Sequence, residues 1–155
     1  MEHIEDSMKI DGNNKKCDIL IIGGGGSGVI AAIEASKDTT LKVILVSKGP
    51  VGQSGITPTA NGGTANASNQ EMAEALFKRV IKAGLFLNDQ NLVEHMAQKA
   101  EECLDQLRNL NVSITPLGPA GVTVPCVSTL KRLRDNLLRK SNLELLEDVL
   151  VTRLC

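Results

Sequence analysis

A cluster of glycines set directly behind an apolar run constrains this chain more than any other feature. Residues 17–22, CDILII, are short and apolar, and Gly23 to Gly26 end them abruptly. Such a run, bounded so sharply, predicts a buried parallel strand. Residues 26–37, GSGVIAAIEASK, predict a helix of small residues, and Lys42 to Ser47, KVILVS, a second buried strand. Strand, tight turn, helix and parallel strand within about thirty residues make a βαβ unit. In that setting Gly23, Gly25 and Gly28 spell G-x-G-x-x-G. The pattern is weak alone and gains meaning between a strand and a helix. Gly23 allows the turn, Gly25 lets the backbone approach a pyrophosphate, and Gly28 lets the helix pack close to the strand. The anion would rest on free N–H groups at the helix N-terminus, where the helix dipole favours negative charge.

An acid at the end of the second strand ordinarily meets the adenosine ribose. Ser47 and then Lys48 stand there instead. A hydroxyl bonds a ribose more weakly than a carboxylate does, which argues against a plain NAD site. Residues 48–69 are rich in Gly, Ser, Thr and Asn and carry no helical or strand period. Loops of this length inside a domain tend to be functional. Residues 70–84 and 89–110 predict helices. In the second, Leu92, Val93, Met96, Ala100, Cys103, Leu104 and Leu107 share one face, with Asn88 or Asp89 as N-cap. Residues 111–127 read as extended and loop-like, and residues 128–140 as a basic amphipathic helix capped by Ser128. A third strand is expected within Leu143 to Leu154, best over Val149 to Thr152. Residues 1–16 read as a disordered tail, leaving 17–155 as one domain.

Composition narrows the classes. The chain has 155 residues, 42% of them hydrophobic and 23% charged, with net charge -1. That suits one globular domain with a real core. It has two Phe and neither Trp nor Tyr. Stacking platforms and a basic groove are both missing, which excludes nucleic acid as a partner. Cys17, Cys103, Cys126 and Cys155 are scattered, without zinc-ligand spacing or a disulfide framework. They read as free thiols in a reducing compartment, Cys17 and Cys103 as buried and inert. The polar N-terminal residues lack a signal-peptide core, and no apolar stretch is long enough to span a bilayer. A cytoplasmic protein is expected, or one held on the inner membrane face by a partner. His95 has no Ser or Cys partner nearby in sequence and reads as structural or surface. Lys131, Arg132, Arg134, Arg139 and Lys140 read as a solvated helix face. Asp89 and Glu94 lack metal-ligand spacing.

The stretches DILIIGGGGSGVIAAIEA and VILVSKGPVGQSGITPTANGG together resemble the N-terminal flavin-binding region of the succinate dehydrogenase/fumarate reductase flavoprotein family, which includes L-aspartate oxidase. The segment AGLFLNDQNLVEHMAQKAEECLDQLRNLNV is similar to that family's helical region, and LLEDVLVTRL to the strand that meets the adenine. The resemblance covers residues 17–112 well and 128–154 more loosely. It implies a three-layer, Rossmann-like α/β fold with a parallel sheet and inserted helices. It also implies FAD as cofactor and hydride transfer to or from a small carboxylate. Gly23, Gly25, Gly26, Ser27 and Gly28 would hold the pyrophosphate, with Ser47 and Lys48 at the ribose and Val149 at the adenine. Ser54, Gly55, Ile56, Thr57, Ala60, Asn61, Gly62 and Gly63 would wrap the flavin. Family members with covalent flavin carry a loop His where this chain has Gly55 and Ile56, so dissociable FAD is expected. An iron–sulfur protein is the electron-transfer partner the resemblance suggests. The family's substrate-binding segments and capping domain have no counterpart here, so a truncated chain without catalytic residues is expected. Two rivals stay open: an NAD(P)-binding Rossmann module, and an inactive fragment lacking the substrate domain.

Overall fold

The computed structural model describes residues 8–10, 13–60, 63–65, 69–116 and 121–153. In chain order the elements are β1 (Met8–Ile10), β2 (Asn13–Lys15), β3 (Ile19–Ile22), α1 (Gly26–Ala35), β4 (Val43–Val46), β5 (Gly63–Ala65), α2 (Gln70–Ala83), α3 (Gln90–Asn109), β6 (Thr115–Pro116), β7 (Gly121–Thr123), α4 (Cys126–Leu137) and β8 (Leu143–Leu146). The chain divides into two compact units, residues 1–59 with 133–155, and residues 60–132.

The first unit holds a parallel sheet in the order β3–β4–β8. Ile19 lies opposite Val43, and Val43 opposite Leu143. β4 is central, and its four residues are aliphatic and at most 1% exposed. A strand covered on both faces needs such a continuous apolar run rather than an alternating one. β3 differs from the fully buried strand the sequence predicts. It lies at the edge of the three strands, and Leu20 and Ile22 are 37% and 49% exposed. α1 packs against β3 and β4. Its buried residues Val29, Ala32 and Ile33 recur at helical spacing. Burying Val29 and Ile33 stabilises this layer by about 1.5–3 kcal/mol per side chain. The helix stops at Ser36, whose hydroxyl donates to the Ile33 carbonyl at 3.0 Å.

The third strand sits earlier than the sequence suggests. Leu143–Leu146 pair with β4, whereas residues 149–152 form no strand. Asp148 has φ +59°, which turns the chain out of extended conformation before Val149 is reached. Residues 1–16 show no sequence periodicity, yet β1 and β2 pair antiparallel, Met8 opposite Lys15. Lys15 forms an ion pair with Glu144 of β8. Residues 1–7, 11 and 12 lie outside the described residues.

In the second unit β5, β7 and β6 form an antiparallel sheet in that order. All three strands fall in stretches that read as loop from sequence, β5 within residues 48–69 and β6 and β7 within residues 111–127. α2 and α3 pack through Ala73, Leu76, Ala97 and Ala100, with Met72, Phe77 and Val80 against them. Asn69 caps α2 by accepting from the Met72 N–H at 2.8 Å, and Asp89 caps α3 by accepting from the Leu92 N–H at 3.2 Å. The buried stripe of α3 is Val93, Ala97, Ala100 and Leu104. It is narrower than the predicted face. Leu92 and Met96 are 67% and 44% exposed, and Cys103 is exposed rather than buried. Contact with α2 covers little more than one row of small residues, so the flanking positions face outward. α4 begins two residues before Ser128, because the Pro125 carbonyl accepts the Thr129 N–H at 3.0 Å and the Ser128 hydroxyl at 3.2 Å.

Candidate cofactor site

The site lies where β3 and β4 end. Gly23 N–H donates to the Val46 carbonyl at 2.8 Å, which carries the pairing one residue beyond β3. Gly23 itself has φ +114°, a conformation L side chains rarely adopt. Gly25 is the N-cap of α1 and offers no side chain to the helix donors. Its carbonyl accepts from the Val29 N–H at 3.0 Å, so α1 starts within three residues of the turn.

What a Cβ would meet at each glycine separates their roles. At Gly28 it would collide with the Gly23 carbonyl oxygen, and it would stand 3.7 Å from Ile21 Cγ2. Gly28 therefore closes the turn on itself first and lets helix approach strand second. At Gly24 it would stand 2.5 Å from Ser47 Oγ and 2.7 Å from Val51 Cγ2. Gly24 is thus as necessary as the fingerprint glycines, although the spacing rule skips it. The run of four glycines is the only sequence signal for it. At Gly23 nothing lies within 4 Å, and at Gly25 only Thr57 Oγ1 does, at 3.4 Å. The turn has a tight floor at Gly24 and Gly28 and an open side at Gly23 and Gly25. An open, Cβ-free backbone at a helix N-terminus fits a diphosphate.

The loop behind β4 is ordered by its own side chains. The N–H and the hydroxyl of Ser54 both donate to the Pro50 carbonyl at 3.0 Å. Gly55 has φ +82°, and Ile56 is 84% exposed. Thr57 opens a short 3-10 turn, Thr57–Thr59, and its Oγ1 accepts from the Gly26 N–H at 3.2 Å. One free donor of α1 is thereby satisfied from the loop rather than from the N-cap. Thr57 thus ties the expected flavin loop to the expected phosphate turn. Gly23, Gly25, Gly26 and Thr57 come together in this way, while Ser27 is exposed on the first turn of α1.

At the other side of the turn, Ser47 is buried and Lys48 is exposed. Ser47 N–H donates to the Leu146 carbonyl at 2.8 Å, and Val149 N–H donates to the Ser47 carbonyl at 3.0 Å. Val149 therefore reaches the expected adenosine end through its backbone, although it is not in a strand. Glu147 is a member of this region that sequence reasoning misses. Its Oε1 accepts from the Val51 N–H at 2.7 Å, and its carboxylate binds Arg134 at 2.9 and 3.3 Å. The paired guanidinium holds the Glu147 carboxyl below its usual range, against an opposing effect of burial. Ala60 and Gly63 belong to the second unit, and Asn61 and Gly62 lie outside the described residues.

His95 and Cys103 line an open groove of about 440 Å³ beside α3, with Leu76, Met96 and Lys99. Burial raises the Cys17 thiol above its ordinary value, and the nearby Lys42 opposes that rise. Cys17, Cys103 and Cys126 are free thiols. Among the described residues no group of His, Cys, Asp or Glu could hold a metal ion. No helix among them is long and apolar enough to cross a membrane.

A glycine turn leading from a parallel strand into a helix defines a dinucleotide-binding α/β protein of the Rossmann type. The chain belongs to the FAD binding domain family, whose sequence model matches residues 18–139. FAD is the cofactor that membership indicates. The chain is 31% identical over 111 residues to fumarate reductase (cytochrome) of Shewanella frigidimarina, covering 67% of this chain and 19% of that protein. It is 33% identical over 93 residues to L-aspartate oxidase of Vibrio cholerae, covering 59% and 17%. Among solved structures, E. coli quinol fumarate reductase FrdA superimposes with a TM-score of 0.74 at 20% identity, covering 85% of this chain and 26% of that one. That likeness supports the fold. The chain spans less than a fifth of the length of the Shewanella and Vibrio enzymes. The resemblance to flavoproteins of the fumarate reductase, succinate dehydrogenase and L-aspartate oxidase type is therefore confirmed, and the NAD(P) alternative is not favoured.

Proposed function

We propose that this chain is the cofactor-holding portion of an oxidoreductase that moves a hydride between a small carboxylate and FAD bound without a covalent link. The observation that carries the reading is the turn from Gly23 to Gly28, tight beneath and open above, joined to the following loop by Thr57. FAD, when bound, supplies the two-electron chemistry. Gly23, Gly25, Gly26, Ser27 and Gly28 border the pyrophosphate, whose donors come from N–H groups other than those that Gly23 gives to Val46 and Gly26 gives to Thr57. Ser47 and Lys48 meet the ribose, and the Val149 segment meets the adenine. The family resemblance assigns Ser54, Gly55, Ile56, Thr57, Ala60, Asn61, Gly62 and Gly63 to the flavin. Small residues there let backbone donors reach its polar edge, and hydroxyls satisfy the rest. The loop carries Gly55 and Ile56 and no His, which supports a dissociable cofactor.

The small carboxylate, an iron–sulfur protein as electron partner, and a location in the cytoplasm or on the inner membrane face belong to the same proposal. Relatives named fumarate reductase and L-aspartate oxidase support the carboxylate, and one named as a flavoprotein subunit supports a partner protein. Reconstitution with FAD tests the reading. The expected result is a flavin absorbance band that survives gel filtration and leaves with the supernatant after acid precipitation. Flavin retained in the pellet would overturn the non-covalent link. Binding of NAD but not FAD would overturn the flavoprotein reading.

A further inference from the structure

The second strand of a dinucleotide site ordinarily ends in an acid that meets the ribose. This chain has Ser47 there and a carboxylate on the neighbouring strand's end. Val46 lies opposite Leu146 in the β4–β8 register, so Ser47 and Glu147 follow at the same level of the sheet. The Glu147 carboxylate does not project freely. Oε1 accepts from the Val51 N–H at 2.7 Å and from Arg134 Nε at 3.3 Å, and Oε2 accepts from Arg134 Nη2 at 2.9 Å. Val51 is wholly buried, and its Cγ2 stands 2.7 Å from where a Cβ on Gly24 would be. The same acid therefore fixes the turn that carries Ser47 and Lys48 away from β4 and presses Val51 beneath the glycine turn. Val149 N–H, two residues past Glu147, closes the arrangement on the Ser47 carbonyl at 3.0 Å.

We propose that Glu147 is a positioning residue for the adenosine diphosphate end of FAD. Acting through the Val51 N–H and steadied by Arg134, it holds Ser47, Lys48 and the floor of the glycine turn in their binding arrangement. The proposal rests on the FAD reading above. In this role Glu147 shapes the turn from behind rather than bonding the ribose. A buried N–H left without its acceptor is costly, so the turn should shift when the carboxylate is removed.

The test is equilibrium binding of ADP and of FAD to the full chain, well below its unfolding temperature, for wild type, Glu147→Ala and Glu147→Gln. ADP is the probe for the adenosine end. Glu147→Ala is expected to raise the Kd for both ligands about tenfold, the loss of one buried hydrogen bond with its consequences. Glu147→Gln keeps an acceptor for Val51 and is expected to stay within about threefold of wild type. A merely structural role would lower the unfolding temperature of both variants and leave both Kd values unchanged, which would overturn the proposal. Should Glu147→Ala fail to fold, Arg134→Met loosens the same carboxylate. It is expected to raise the ADP Kd about threefold, and an unchanged value overturns the proposal. Wild-type chain that binds neither FAD nor ADP overturns the FAD reading itself, and is told apart from the other failures by that fact.

Discussion

Gly25 and Gly28 have equal standing in the sequence fingerprint and opposite surroundings in the structure. A methyl at Gly28 would collide with the Gly23 carbonyl oxygen, a backbone atom that cannot swing aside. Gly28→Ala is therefore expected to destabilise the chain by at least about 2–3 kcal/mol, read as a lower denaturation midpoint. A methyl at Gly25 meets only Thr57 Oγ1 at 3.4 Å, an ordinary contact, and Gly25 already has φ -76°. Gly25→Ala should cost less than about 1 kcal/mol. It should still weaken FAD binding by more than about tenfold, because the methyl occupies the open side of the turn. Equal losses of stability in the two variants would show the distinction to be wrong. The three fingerprint glycines are legible because strand, turn and helix are contiguous in the chain. Gly24 escapes the motif because its constraint comes from Ser47 and Val51, which lie outside it. Glu147 is invisible for the same reason, since its partner Val51 is 96 residues away in sequence.

Elements whose signal is local are legible to within a residue or two. α2 and α3 begin at side-chain caps, and α1 and β4 fall close to their predicted limits. Asn69→Ala removes an acceptor from an exposed helix end and should cost about 1 kcal/mol, visible in urea unfolding. The third strand is misplaced by sequence reasoning because VLVT has the stronger β-propensity, while pairing with β4 selects Leu143–Leu146. Tertiary pairing decides such contests, and no local pattern reports it. The end of β8 also sets a pH dependence. Arg134 holds the folded Glu147 carboxyl below its ordinary value. The stabilisation is full above the unfolded carboxyl's pKa and is lost as pH falls through the lowered folded one. Unfolding temperatures of wild type and Glu147→Gln, followed from pH 7 to about pH 3, should converge on acidification. A gap that stays constant across that range would refute the linkage.

At the scale of the whole molecule, the residues expected around the pyrophosphate and adenosine all fall in the first unit, between Gly23 and Lys48 and at Val149. Ala60 and Gly63 belong to the second. The first unit is built from segments at both ends of the chain, residues 1–59 and 133–155, and β8 closes its sheet from the far end. Its floor beneath the glycine turn depends on Val51 and Glu147 being brought together across that separation. A cofactor that binds this arrangement and not the unfolded chain must stabilise it by mass action. At about a hundredfold excess over Kd the gain is roughly 2.7 kcal/mol. For a chain of this size that corresponds to a rise of about 5–10 °C in Tm. NAD at the same concentration should give no rise. Scanning calorimetry with increasing FAD would show the Tm climbing with the logarithm of concentration. A Tm independent of FAD would mean that the folded glycine turn and its floor do not recognise the cofactor.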